Sequence, residues 1–426
     1  MRKFVLLVAM LALVATAAMG ITGLRPAAAV AAKYPAPAGG NGGRTAPGVT
    51  ATSVKVGGLY DITGPDPGAE LGVGYGAHAY ANYVNSLGGV YGRTIRVNMF
   101  DAAFDPTKAK ADCDQMISGG YFAMAGGWSP VDSGCFPDVQ KSGIPFIEEY
   151  LDPQFASLAS WYAPGQGLPT RLNTAPYVEI KHLFPKVKKV AELYEVLPGM
   201  QAATVHIAPG LKASGFDVVL TEGLQDSATS FANYVVQMRN AGVQGIFMDA
   251  STIGTIARLA QAMAAQGFHP SFAEAAESYE AQWHSVASPG AAGWLASPTV
   301  AYLNPAALRA TPGGKLLQTW FEKTNPGKQI DLFTIFGWEE MALFTQAMVD
   351  AGPHLTRADL LSSVHAIHSF SAQGLIANSD VGDHALATCT LVVASTSTGY
   401  TQLAPKGEPG KFACNVPGAS VINSTP

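Results

Sequence analysis

The chain has 426 residues, 48% of them hydrophobic and only 13% charged, with 26 basic against 31 acidic residues and a formal net charge of −5. An acidic balance argues against nucleic acid as a partner, and the length exceeds one ordinary core while suiting two domains of roughly 150–200 residues. Beyond the N-terminus no stretch is long and apolar enough to span a bilayer.

Met1-Arg2-Lys3 leads into the uncharged run Phe4–Leu24, the layout of a basic n-region followed by an apolar h-region. Small residues at Ala27-Ala28-Ala29 and Ala29-Val30-Ala31 supply cleavage patterns, so residues 1–31 are read as an export signal. The alternative is an uncleaved anchor, because the run is just long enough to cross a membrane. No cysteine precedes Cys113, so a lipid-anchored form is not expected. Removing Arg2, Lys3 and Arg25 with the signal leaves 26 − 3 = 23 basic residues against 31 acidic, a net of −8. Residues 32–50, rich in Pro, Gly and Ala without hydrophobic period, read as a flexible leader.

From Ser53 short β-rich runs alternate with helix-length segments, which predicts α/β architecture with helices covering parallel sheets. The first series has strands near Val54–Leu59, Thr94–Phe100, Phe122–Ala125 and Pro145–Ile147, with helices near Val73–Leu87, Pro106–Ser118 and Phe136–Ser142. Asp105-Pro106 marks one helix start, Asp capping free N–H groups and Pro fitting the first position. After an irregular stretch, Asp152–Arg171, the grammar restarts. Strands are expected near Val190–Tyr194, Val218–Thr221 and Gly245–Met248, with helices near Met200–Ala213, Phe231–Ala241 and Thr252–Gln266. Further helices, Lys315–Thr324, Leu332–Val349 and Arg357–Ala366, and strands Cys389–Ala394 and Tyr400–Leu403 are too few for a third domain. They are assigned to completing the first two: 51–170 with 301–380 as one lobe, 171–300 with 381–404 as the other, and 405–426 as a C-terminal tail.

The four cysteines fall in two near pairs, and an exported chain meets oxidising conditions. Bridges Cys113–Cys135 and Cys389–Cys414, the second pinning the tail, would close loops of about 23 and 26 residues, each worth roughly 3–4 kcal/mol on the chain-entropy model. Four cysteines allow other pairings, and free buried thiols are a further alternative.

Several local patterns resemble the leucine/isoleucine/valine-binding family of type I periplasmic binding proteins. They include Lys55-Val56-Gly57-Gly58-Leu59 leading to Thr63-Gly64-Pro65, and Asn85-Ser86-Leu87-Gly88-Gly89-Val90-Tyr91-Gly92-Arg93 followed by Asp101 and Asp105-Pro106. Ser142-Gly143-Ile144-Pro145, the segment Phe231-Ala232 through Gly242-Val243, and Gly337-Trp338-Glu339 continue the likeness. The resemblance spans essentially Val54–Leu403. It implies two doubly wound α/β lobes joined by three crossovers, a small-molecule ligand between them, and delivery to an ABC transporter permease. It also implies a monomer outside the cytoplasmic membrane, touching the membrane only through the permease or an uncleaved N-terminal segment. Cys113 and Cys135 match the positions of a disulfide typical of the family's amino-acid binders.

In parallel α/β sheets ligands sit beyond the carboxyl ends of the strands. On that ground, and by the family likeness, Trp128 and Ser129 after the third strand are candidate ligand contacts, Trp128 having a core role as its alternative. Glu149 and Tyr150 follow the fourth strand, where amino-acid binders carry a Ser/Ala/Thr segment; two carboxylates, Glu148 and Glu149, would disfavour an anionic ligand unless the loop is solvated. From the second lobe Pro198, Ser251 and either Glu274 or Glu277 are candidates, the acid pairing with a ligand ammonium. Phe333 and Trp338 read as packing residues.

G-x-S-x-G, H-E-x-x-H, C-x-x-C and Walker A patterns are absent, so neither an enzyme nor a cofactor is expected. Gly72-Val73-Gly74-Tyr75-Gly76 lacks the later glycine of a dinucleotide loop. His365 and His368 share a helical face, but with no carboxylate or cysteine ligand apparent nearby they read as a surface pair. A membrane-anchored sensing ectodomain is the alternative to a transport receptor.

Overall fold

The computed structural model describes residues 32–64, 71–197 and 207–423. The signal segment, 1–31, lies outside the described residues, as do Pro198 and the first half of the helix expected at Met200–Ala213. Among the described residues no helix is long and apolar enough to cross a membrane.

Two twisted sheets carry the molecule. The first comprises β1 (Ser53–Tyr60), β2 (Thr94–Asp101), β3 (Ala123–Ala125) and β4 (Phe146–Ile147), all parallel, in the order β2-β1-β3-β4. After a short strand β5 (Arg171–Asn173), the second sheet forms from β6 (Lys189–Glu195), β7 (Asp217–Leu224), β8 (Gly245–Ala250), β9 (Phe272–Ala275), β10 (Trp294–Ala296), β11 (Val392–Ser395) and β12 (Tyr400–Ala404). Its order is β12-β11-β10-β9-β8-β6-β7, with β6 to β10 parallel and the last two strands antiparallel. Both sheets are covered on both faces, as parallel sheets require. On the first, Gly72–Ser86 and Leu332–Ala351 pack on one side and Pro106–Ser118 and Phe136–Ser142 on the other. On the second, Ala232–Ala241 and Ile253–Ala265 face Ala175–Leu183 and Ala208–Ala213 across the sheet.

The caps follow side-chain chemistry. Asp105 Oδ1 accepts from the N–H groups of Thr107 (2.8 Å) and Lys108 (3.3 Å) ahead of Pro106. Asp331 and Thr334 form a reciprocal capping box at the start of Leu332–Ala351. Strands β9 and β10, absent from the predicted elements, read FAEA and WLA; three or four residues with one or two alanines carry no periodic signal.

Residues 32–50, expected as a flexible leader, are instead held against the first sheet. Arg93 is 1% exposed and donates to the carbonyls of Thr50 (2.8 Å), Pro353 (2.7 Å), Gly43 (3.2 Å) and Asn41. Asn41 Nδ2 in turn donates to Ala51 O and Tyr91 O, both at 2.8 Å. A guanidinium taken out of water needs its donors filled, and the leader's carbonyls fill them. Both near cysteine pairs are bridged, Cys113–Cys135 and Cys389–Cys414, and the tail returns as β13 (Val421–Asn423), antiparallel to β5.

The glycines at 72–76 have a packing role. All lie within Gly72–Ser86, which crosses Leu332–Ala351 backbone to backbone. A Cβ on Gly76 would stand 2.0 Å from Thr334 O, and one on Gly337 would stand 1.9 Å from Val73 O. Backbone cannot yield as a side-chain tip can, so any larger residue forces the helices apart. Gly337→Ala is therefore expected to lower stability by about 1–3 kcal/mol in chemical denaturation. Gly399→Ala, where a Cβ meets nothing within 4 Å, serves as the silent control.

Candidate functional site

The carboxyl ends of the parallel strands converge on one seam. From the first sheet come Tyr60 at the end of β1 and Trp128 after β3, joined by Val73 and Phe333 from the two helices that touch at Gly76 and Gly337. Together with Ala250 at the end of β8 they form one buried apolar cluster, and Leu197, beyond β6, packs against it with Ile62 and Leu151. The Trp128 ring lies 5.2 Å from that of Phe333, tilted by 55°, and its backbone N–H donates to Leu59 O at 2.9 Å. Trp128 is thus buried at the strand ends, and Phe333, expected to be a packing residue, packs there with it.

A second bridge is Phe104, which sequence reasoning did not select. It packs against the second-sheet cluster built on Val235, Ile253 and Ile256. Its backbone and that of Ala103 sit at φ 55°, a left-handed conformation uncommon for such residues. Acceptors hold the turn: Asp61 Oδ1 takes the Phe104 N–H at 2.6 Å, and Asp101 Oδ1 takes those of Ile62, Thr63 and Ala103 at 3.0–3.1 Å. The only hint in the sequence was its position between the two aspartates of the D-x-x-x-D-P segment. Phe104, Glu195, Leu197, Thr252 and Arg258 line a groove of ≈ 630 Å³ beside the seam.

The polar candidates divide. Ser129 is buried, its Oγ 3.4 Å from the accepted Val131 N–H and its hydroxyl bonded to Asp61. Ser251 Oγ donates to Glu277 Oε2 at 3.4 Å, which puts those two together at the ends of β8 and β9. Thr252 N donates to Glu195 Oε2 at 2.6 Å. Glu274 lies within β9, three residues before Glu277, and accepts from Ser297 Oγ at 2.8 Å, where the chain leaves the second sheet; burial pushes its carboxyl up to about 7.

Glu149 and Tyr150 are directed elsewhere. Strand β4 is two residues long, so the chain turns at once into the crossing between the sheets, and the side chains after it meet that crossing. Glu149 Oε1 accepts from Gly165 N at 2.8 Å, and Tyr150 donates its hydroxyl to Gly167 O at 3.0 Å with its ring edge-on to Trp161. The charged loop expected to face a ligand is thus a buried internal contact.

That contact is acidic on both sides. Glu340 Oε1, from Leu332–Ala351, accepts the Glu149 N–H at 2.8 Å, and Glu339 lies beside Glu149 at Gly165. Glu148, Glu149, Glu339 and Glu340 are all 5% exposed or less. Among the described residues none of the four joins a salt bridge, and Glu148 Oε1, Glu339 Oε2 and Glu340 Oε2 have no hydrogen-bond partner. Burial raises all four carboxyls: Glu149 to about 7, the other three well above the usual range, with neighbouring carboxylates adding to it. Asp132, also buried, faces Glu148 and is raised for the same reason. The cluster therefore holds protons at mildly acid pH.

Comparison with known proteins shows the family and the fold. A family model described as periplasmic binding protein matches residues 53–399, so the chain belongs to that family, one of binding proteins and not of enzymes. No curated protein matches the sequence at a significant level. Among solved structures, a fatty acid ABC transporter substrate-binding protein from Thermomonospora curvata superposes with a TM-score of 0.70 at 18% identity, covering 84% of this chain and 93% of that one. An ABC transporter substrate-binding protein from Aeropyrum pernix gives 0.71 at 18% identity, with 85% and 96% covered. A possible leucine/isoleucine/valine-binding protein from Rhodopirellula baltica gives 0.67 at 11%, with 83% and 96% covered. These likenesses establish the type I periplasmic-binding-protein fold.

The acid cluster makes stability depend on pH in a defined direction. A carboxyl whose folded pKa is raised stabilises fully below its unfolded pKa, about 4.3 for Glu, and loses that contribution as pH rises through the folded value. For Glu149 the interval from about 4.3 to about 7 corresponds to ~3–4 kcal/mol at one pKa unit per 1.36 kcal/mol. Unfolding free energy from urea titrations is expected to fall between pH 5 and pH 8. Glu340→Gln, which keeps the acceptor for Glu149 N and removes one charge, should flatten the slope and stabilise the protein at pH 8; an unchanged slope would count against the cluster as its source.

Proposed function

We propose that the protein is an exported receptor that captures a small molecule between its two lobes and presents it to an ABC transporter permease. The observation that carries this reading is the seam itself: the strand ends of two parallel sheets meet through Trp128, Phe333, Tyr60, Ala250 and Leu197, at the place where open α/β sheets bind ligands. Family membership supports it, as do the names of the Thermomonospora and Aeropyrum proteins. In this reading 51–170 with 301–380 moves against 171–300 with 381–404. Hinge opening separates Trp128 and Phe104 from the second lobe and admits the solute.

The ligand class follows from what borders the seam. Its aromatic and aliphatic side chains suit an apolar body. Ser129 with Asp61, and Ser251 with Glu277, offer hydroxyls and carboxylates for a polar end, with Glu274 behind them. The cations beside the seam are paired, Lys108 with Asp101 at 3.1 Å and Arg258 with Asp226. Acid-rich surroundings favour an amine-bearing ligand, an apolar amino acid or a related amine, over a free fatty acid. Glu149 and Tyr150 act from behind the site by setting the first crossing.

Native mass spectrometry of the freshly purified protein, followed by a thermal-shift panel of apolar amino acids, their amines and fatty acids, tests the class. The amine-bearing compounds are expected to raise the unfolding temperature; a rise with fatty acids alone would overturn the ligand assignment. A saturating ligand should reduce the radius of gyration in small-angle scattering, and an unchanged radius would argue against hinge closure. Trp128→Ala is expected to weaken binding at least tenfold while leaving Ser129 and Ser251 in place.

A further inference from the structure

Beyond the seam, His368, one of the two histidines that the sequence suggested as a surface pair, acquires partners that lie far off in the chain. Phe370 and Ser379 pair as an antiparallel bridge, each N–H donating to the other's carbonyl at 2.9 and 3.0 Å. This bridge sets His368 beside Asp380. A tight turn then folds back, with Asp380 bridged to Ala385, Gly382 N donating to Ile367 O at 2.8 Å and His384 N to Val381 O at 3.2 Å. Only glycine fits at 382, since a Cβ would stand 2.1 Å from His365 O and 3.1 Å from the His368 ring. The turn is pressed onto the end of the helix Arg357–His365, and Asp383 is brought over His368.

We propose that His368, Asp380 and Asp383 form a binding site for a divalent first-row transition metal ion such as Zn²⁺. The candidate ligand atoms all lie within 4.8 Å of one another. His368 Nδ1 is 2.9 Å from Asp380 Oδ1 and 3.9 Å from Asp383 Oδ2. Metal–ligand bonds of about 2.0–2.2 Å in a tetrahedron place ligand atoms about 3.3–3.6 Å apart, and the two separations bracket that edge, so shifts under about 1 Å complete the geometry. One imidazole nitrogen with two carboxylates suits Zn²⁺ or Mn²⁺ better than the all-oxygen set of Ca²⁺. The side chains are 56%, 30% and 66% exposed, which leaves room for water as a further ligand. A singly charged imidazolium would balance only one of the two aspartates, and among the described residues no Lys or Arg pairs with either.

The site has a mechanical setting. The same turn carries His384, whose ring stacks on Trp161 (5.0 Å, 13°) and Tyr162 (4.8 Å, 21°), and Ser379 donates its hydroxyl to Pro164 O. A bound ion would tie the end of Arg357–His365 to a turn that leans on the first crossing between the sheets.

Isothermal titration of the purified, chelator-treated protein with ZnCl₂ and MnCl₂ tests the assignment. The expected result is one ion per chain for at least one metal. Affinity should fall at least tenfold in His368→Ala and in Asp383→Asn, and stay unchanged in His269→Ala, an exposed histidine on the other lobe. A metal-dependent rise in unfolding temperature should disappear with the same two variants, and their circular dichroism without metal should match the parent. No binding by the parent protein, undiminished binding by His368→Ala, or a loss confined to His368→Ala with Asp383→Asn unaffected would each overturn the three-ligand site.

Discussion

The contact between Gly76 and Gly337 decides where the rest of the first lobe goes. Two helices touch backbone to backbone there because neither residue has a side chain to hold them apart. That approach fixes the height of Leu332–Ala351 over the first sheet, and with it four of its side chains. Phe333 reaches the strand-end seam and Trp338 meets Tyr80 edge-on at 4.9 Å. Glu339 and Glu340 are driven against the two glutamates that follow β4. A wider crossing would let water in between these acids and draw Phe333 away from Trp128.

The buried acids are a consequence of this closeness, with no cation among the described residues to relieve it. Isolated buried carboxylates are too costly to keep charged, so the group takes up protons instead. Protonation turns mutual repulsion into a set of hydrogen-bonding carboxyls, and one of them, Glu340, orients the chain by accepting the Glu149 N–H. The segment so oriented is the start of the first crossing, where Trp161 donates to Glu148 O at 3.0 Å. Packing, proton occupancy and the geometry of the first crossing are thus linked through a few residues.

The same crossing gathers the turn at residues 379–385, which rests on Trp161, Tyr162 and Pro164. In the proposed closing motion, movement of one lobe against the other would pass through these contacts, because the crossings are the covalent links between the sheets. The apolar seam and Phe104 lie at the strand ends, while the stacked rings and the buried acids pack along the first crossing. A binding protein needs such a division: a surface that separates at modest cost and a hinge that returns to one geometry.

Much of this was legible in the sequence. The alternation of short β-rich runs with amphipathic helices, the cap at Asp105-Pro106 and the motifs from Lys55 to Gly337 determined the α/β class, membership of the broad periplasmic-binding-protein family and most strand positions, because local periodicity and capping are properties of neighbouring residues. Trp128, Ser129 and Ser251 are expected at strand ends from the strand-end rule and the family likeness, while the choice between Glu274 and Glu277 stays open. Only the tertiary structure decided which way side chains point once the chain leaves a strand. A two-residue β4 gives no register signal, so Glu149 and Tyr150 could not be seen to turn toward the crossing. Arg93 organises residues 32–50 through carbonyls that no composition reveals. Phe104 gains its role from a left-handed turn, and His368 from aspartates twelve and fifteen positions away. Such contacts are set by the fold, through distances that sequence separation does not encode.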